Sequence, residues 1–80
     1  MAIDEGVRNG VCILVVDDQA IIRFAMQSAL LGARYGVVAA ANGTEAIRIL
    51  DRRKFSAVVT DVRLGEGPDG WEVARHARAG

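Results

Sequence analysis

Six apolar residues in unbroken succession, Val11-Cys12-Ile13-Leu14-Val15-Val16, run directly into two carboxylates, Asp17 and Asp18. A strand with one wet face would carry a polar residue at every second position, so a run without alternation reads as a strand covered on both faces. Such cover needs helices above and below, and the next segments have helical character. Residues 20–33 place Ile22, Met26, Ala29, Leu30 and Ala33 at helical spacing, with Arg23 and Gln27 one turn apart on another face. This is the pattern of an amphipathic helix. Gly36 opens a short strand over residues 37–41, and Asn42 with Glu45 forms the start signal of a second helix over residues 43–53. A third strand is expected over residues 57–61, again ending in an acid, Asp61. The loop Gly65-Glu66-Gly67-Pro68 follows, and Asp69 with Glu72 repeats the capping signal for a third helix that ends near residues 79–80.

The order β-α-β-α-β-α calls for a parallel sheet with right-handed crossovers. The expected fold class is therefore α/β, a flavodoxin-like doubly wound sheet with strand order 2-1-3, in which the first and third strands are neighbours about 4.8 Å apart. The carboxyl ends of those two strands frame the crevice where open α/β sheets bind ligands. Asp17, Asp18 and Asp61 should converge there, and three like charges so close repel unless a cation lies among them. Oxygen-only ligands of this kind suit Mg²⁺. Taken singly, Asp18 could cap the first helix and Asp61 be an ordinary strand-end acid; it is the joint spacing that argues for one cluster.

Other classes find little support. At 80 residues with 51% hydrophobic and 25% charged side chains and zero formal net charge, the chain reads as one small globular domain and not as a disordered segment. Its ten basic groups are scattered, and the longest basic run, Arg52-Arg53-Lys54, reads as a solvated helix end and not a nucleic-acid surface. Cys12 is the only cysteine, so no internal disulfide can form, and within a strand it is expected to be a buried small hydrophobe. No apolar stretch approaches the ~20 residues needed to cross a bilayer, and Met1-Ala2-Ile3-Asp4-Glu5 lacks a signal-peptide core. A cytoplasmic protein is expected. His76, with no second metal-type ligand nearby in sequence, reads as a surface residue; Trp71 and Val73 read as packing groups. Neither GxGxxG nor the P-loop pattern occurs.

Several motifs in this order resemble the receiver domain of bacterial two-component response regulators: Ile13-Leu14-Val15-Val16-Asp17-Asp18-Gln19, Tyr35-Gly36-Val37 through Asn42-Gly43 with Glu45-Ala46, Val58-Val59-Thr60-Asp61-Val62-Arg63-Leu64, and Asp69-Gly70-Trp71-Glu72-Val73-Ala74. The resemblance covers about residues 11–79. It implies that Asp61 accepts a phosphoryl group from a histidine kinase or phosphotransfer protein. It further implies that Asp17, Asp18, Asp61 and the main-chain carbonyl of Arg63 hold Mg²⁺. Residues 1–10 would then be an N-terminal extension and residues 11–80 a partial receiver, because the family's full fold has five strands and five helices and these residues supply three of each. The family's Ser or Thr at the end of the fourth strand and Lys at the end of the fifth have no counterpart here. Lys54 lies at the wrong end of the third strand to stand in for the latter, whereas Arg23 or the Arg63 side chain has some prospect of reaching a phosphoryl group. Where the family commonly has a proline after the acceptor, this sequence has Gly65, and Pro68 comes later in a loop one residue longer.

Two further expectations follow. A third strand without a neighbour on its far side presents an open edge, which favours self-association, strand exchange or marginal stability. The chain is not expected to be an enzyme in the turnover sense. The alternative reading is a non-phosphorylated interaction module, or inactive receiver fragment, that binds a kinase or regulator through its first helix and nearby loops. A phosphatase of the haloacid dehalogenase type would need Asp-x-Asp, whereas Asp17 and Asp18 are adjacent.

Overall fold

The structure, a computed structural model, describes residues 10–65 and 67–79. The chain runs β1 (Cys12–Val16), α1 (Ala20–Gly32), β2 (Gly36–Ala40), α2 (Gly43–Leu50), β3 (Ala57–Thr60) and α3 (Gly70–Ala79). The three strands form a parallel sheet, as the alternation of strand and helix predicts, in the order β2-β1-β3 expected of the flavodoxin-like arrangement. All but one residue of the expected N-terminal extension, 1–10, lie outside the described residues.

Register and side-chain alternation divide the sheet into two faces. Leu14 lies opposite Val38 on one side and Val58 on the other, and Val16 opposite Ala40 and Thr60. Leu14, Val16 and Ala40 pack with Ala46 of α2, Leu64 and Val73 of α3 into the buried core, bordered by half-buried Val38, Ile47, Ile49, Leu50, Phe55 and Val58. Each large side chain buried there contributes roughly 1.5–3 kcal/mol. The opposite face, carrying Ile13 and Val15, is covered by α1, which lies over β2 and β1.

α1 differs from expectation in the face it turns inward. None of its residues is fully buried, and its half-buried stripe is Arg23, Met26, Gln27 and Leu30. Ala29 and Ala33 are exposed, and Ile22 is 43% exposed. A helix apolar around most of its circumference offers several stripes at 3.6-residue spacing, and tertiary contacts choose among them. The outward stripe contains Ile21, Phe24 and Leu31, at 84%, 71% and 53% exposure.

The helix ends follow local chemistry. α1 closes with the Arg34 N–H donating to the Leu31 carbonyl (2.9 Å) and the Tyr35 N–H to the Leu30 carbonyl (3.1 Å). That motif places its turning residue in the left-handed region, normally glycine's, and Arg34 occupies it at φ 72°. For α2, the Asn42 side chain accepts from the Glu45 N–H (2.8 Å) while Glu45 accepts from the Ala41 N–H (2.7 Å). α2 ends at Leu50, three residues before the expected 53, and Asp51 and Arg52 form a turn. The expected box at α3 forms too: Asp69 accepts from the Glu72 N–H (3.0 Å) and Glu72 from the Asp69 N–H (3.4 Å). Among the described residues no helix is long and apolar enough to cross a membrane.

Candidate functional site

The sheet ladder delivers the acids to one place. The Asp17 N–H donates to the Ala40 carbonyl (3.2 Å) and the Asp61 N–H to the Val16 carbonyl (3.3 Å), so inter-strand bonding continues one residue past β1 and β3. One ligand oxygen from each of Asp17, Asp18 and Asp61 falls within 4.8 Å of the others. Asp17 is buried, at 5% exposure, while Asp18 and Asp61 are exposed.

Hydrogen bonds fix two of the three carboxylates against their own backbone. Asp17 Oδ1 accepts from the Gln19 N–H (2.9 Å), and Asp61 Oδ1 accepts from the Val62 N–H (2.8 Å). The Thr60 hydroxyl donates to the Asp61 carbonyl (2.9 Å). Gln19 makes no side-chain cap at the start of α1, so the carboxylate that meets that helix entrance is Asp17 and not Asp18.

The loop after β3 is held from beyond. The Gly70 N–H donates to the Val62 carbonyl (2.8 Å), and a Cβ at Gly70 would collide with the Asp61 carbonyl and come within 2.9 Å of Val62 Cα. Only glycine lets the start of α3 approach the Asp61 backbone this closely. Gly65 has φ 77°, which proline's ring forbids.

The donor set fits a hard divalent cation: three carboxylates, no nitrogen or sulfur, with the charges close enough to repel in the absence of positive charge. Arg63 lies two residues beyond Asp61 in the same loop and is exposed.

Some residues have roles that spacing did not reveal. Arg23 Nη1 donates to the Asp17 carbonyl at 2.8 Å, which brings a residue assigned to another face of α1 to the edge of the acid cluster. His76 Nε2 meets Asp51 Oδ1 at 2.7 Å and ties the end of α2 to α3 across 25 residues of sequence. Cys12 is only half-buried, and Arg53 Nη2 donates to its sulfur at 3.3 Å. Lys54 is not part of the cluster: it lines a cavity of about 630 Å³ with Arg52, Arg53, Phe55, Val58 and His76, where α2 and α3 end.

Residues 13–79 match the response regulator receiver domain family. A probable transcriptional regulator, ycf27, of Porphyra purpurea is 41% identical over 66 residues, covering 82% of this chain and 27% of that protein. The transcriptional regulatory protein AfsQ1 of Streptomyces coelicolor is 33% identical over 66 residues, which are 82% of this chain and 29% of the relative. The chain thus spans less than a third of the length of these curated relatives. Among solved structures, a response regulator receiver protein from Sinorhizobium medicae superposes with a TM-score of 0.83 at 42% identity, covering 89% of this chain and 58% of that one. The receiver domain of a sensor histidine kinase from Pseudomonas aeruginosa, solved with a magnesium ion coordinated in its active site cleft, gives 0.78 at 31% identity, covering 88% and 57%.

Proposed function

The chain belongs to the response regulator receiver domain family of two-component systems, and on that premise we propose that it is a phosphoacceptor module with Asp61 as the acceptor. The observation that carries the reading is the convergence of Asp17, Asp18 and Asp61 within 4.8 Å at the ends of β1 and β3. An oxygen of Asp61 would form the new P–O bond as the P–N bond of a phosphohistidine donor breaks, with the ring nitrogen keeping the bonding electron pair. The carboxylate is presented for this by its bond to the Val62 N–H and by the close seat of Gly70 against its backbone.

Asp17, Asp18, Asp61 and the Arg63 carbonyl would hold Mg²⁺. When bound, that ion supplies positive charge against the attacking carboxylate and the incoming phosphoryl oxygens. Asp17, buried and bonded to the Gln19 N–H, is the fixed member of the set; Asp18, exposed, is the adjustable one. The chain acts as a stoichiometric acceptor, with residues 11–80 as the receiver portion.

The donor is a histidine kinase or phosphotransfer protein, and the outward stripe Ile21, Phe24 and Leu31 on α1, the helix that starts beside the acids, supplies an apolar contact surface for it. The same stripe supports the second reading, docking without phosphoryl transfer. The far edge of β3, which has no strand partner among the described residues, with Val59 41% exposed, also supports pairing between two copies.

The test is the intact mass of the chain after incubation with acetyl phosphate, with and without Mg²⁺. A Mg²⁺-dependent gain of one phosphoryl group that disappears in Asp61→Asn is expected. Equal gain in that variant would overturn the acceptor assignment, and no gain with retained kinase binding would favour the docking module. Sedimentation velocity across a hundredfold range of concentration tests the β3 edge: a single monomeric species throughout rejects pairing.

A further inference from the structure

We infer that Arg23 is a positioning residue for the cation site, fixing the backbone that carries Asp17 and Asp18. The inference rests on the proposed Mg²⁺ reading of the acid cluster and adds to it a residue that touches neither cation nor phosphoryl group.

Three hydrogen bonds close a ring around the turn from β1 into α1. The Arg23 N–H donates to the Gln19 carbonyl (2.9 Å), the Gln19 N–H donates to Asp17 Oδ1 (2.9 Å), and Arg23 Nη1 donates to the Asp17 carbonyl (2.8 Å). Asp18 lies within this ring in sequence, and its carboxylate makes no hydrogen bond among the described residues. The place from which it can reach the cluster is therefore set by the backbone on either side of it. α1 has no other device at this end: Gln19 provides no side-chain cap, and the first turn holds no acid.

The placement follows from helix geometry. Side chains on a helix lean toward its N-terminus, so a long side chain one turn in reaches back over the loop that enters the helix. Arg23 is half-buried on the sheet-facing stripe, an unusual place for a guanidinium unless it is bound there.

Electrostatics and positioning predict opposite signs. Removing a positive charge beside a cation site should strengthen Mg²⁺ binding if Arg23 acts only through its field. Positioning predicts weakening, because Asp17 and Asp18 lose their common orientation.

The experiment uses Arg23→Met, which keeps an apolar stem for packing, with Arg23→Lys as the conservative rescue and Arg48→Met, an exposed arginine in the last turn of α2, as the charge control. Amide hydrogen exchange without metal should quicken about tenfold at Gln19 and at position 23 in Arg23→Met, whose N–H groups are bonded within the ring, while Ala46 is unchanged, a local loss of protection. Titration calorimetry with Mg²⁺ should show about tenfold weaker binding in Arg23→Met, most of it recovered in Arg23→Lys, and no weakening in Arg48→Met. Unchanged exchange at Gln19 and at position 23, or Mg²⁺ binding equal to or tighter than wild type, overturns the inference. If the wild-type chain binds no Mg²⁺ at millimolar concentration, it is the cation reading that fails, and the exchange result alone decides whether Arg23 holds the turn.

Discussion

The two faces of the sheet are built from the same three strands yet are finished to different degrees. On the α2 and α3 face, Leu14, Val16, Ala46 and Val73 are fully buried, and two capped helices pack against each other. On the α1 face Val15 is fully buried too, but a single helix covers β2 and β1, no residue of that helix is fully buried, and Val59 of β3 is left 41% exposed. The first face holds the fold together and carries the Asp61 loop. The second is available for contact, and its helix positions the turn of Asp17 and Asp18. Dense cover and exposed apolar surface thus lie on opposite sides of one thin sheet.

That contrast can be broken by substitution, beginning with the largest effect. Leu14→Ala should cost about 3 kcal/mol in a urea melt, because it empties a fully buried site flanked by both other strands. Against a total stability of order 5 kcal/mol for a domain of this size, about 2 kcal/mol would remain, so the variant should still fold but melt at a markedly lower temperature, as followed by circular dichroism. Gly70→Ala is expected to cost about 2 kcal/mol through overpacking against the Asp61 carbonyl, and to slow phosphoryl acceptance as well, since the loop must yield. Acceptance at the wild-type rate would show that the approach of α3 does not govern the Asp61 loop.

Met26→Ala, the matching deletion on the α1 face, should cost only about 1 kcal/mol, because the side chain is half-buried to begin with. A loss equal to that of Leu14→Ala would erase the contrast between the faces. The smallest effect has the opposite sign: Arg34→Gly should stabilise the chain by about 0.5 kcal/mol, raising the melting temperature, since glycine takes φ 72° without steric cost but loses more freedom on folding.

Elements written in local signals were legible in the sequence. The unbroken run of β1, the capping pairs Asn42/Glu45 and Asp69/Glu72, and the acid after each of β1 and β3 are consequences of neighbouring residues. They lead directly to the strand order and to the place where Asp17, Asp18 and Asp61 meet. What local pattern does not encode is rotation and reach. α1 is apolar almost all round, so its sequence is compatible with several inward faces, and the face adopted includes Arg23, whose guanidinium meets a carbonyl six residues earlier. The His76–Asp51 contact joins two helix ends that only the packing of α2 against α3 brings together. Arg34 in a glycine position is likewise invisible to composition, because a Schellman turn is recognised by its usual residue and here has another.

The central strand has one more consequence, for the timing of amide exchange. Among the described residues β1 alone is paired on both sides, so the amides of Ile13 through Val16 are shared between two neighbours and the strand is fully freed only when both β2 and β3 have left. β2 and β3 can each fray from an edge, and either event frees only the β1 amides that point to the departing strand. Deuterium should therefore complete its entry into β1 last, and the amides facing the more firmly held neighbour should show protection approaching the global free energy of unfolding.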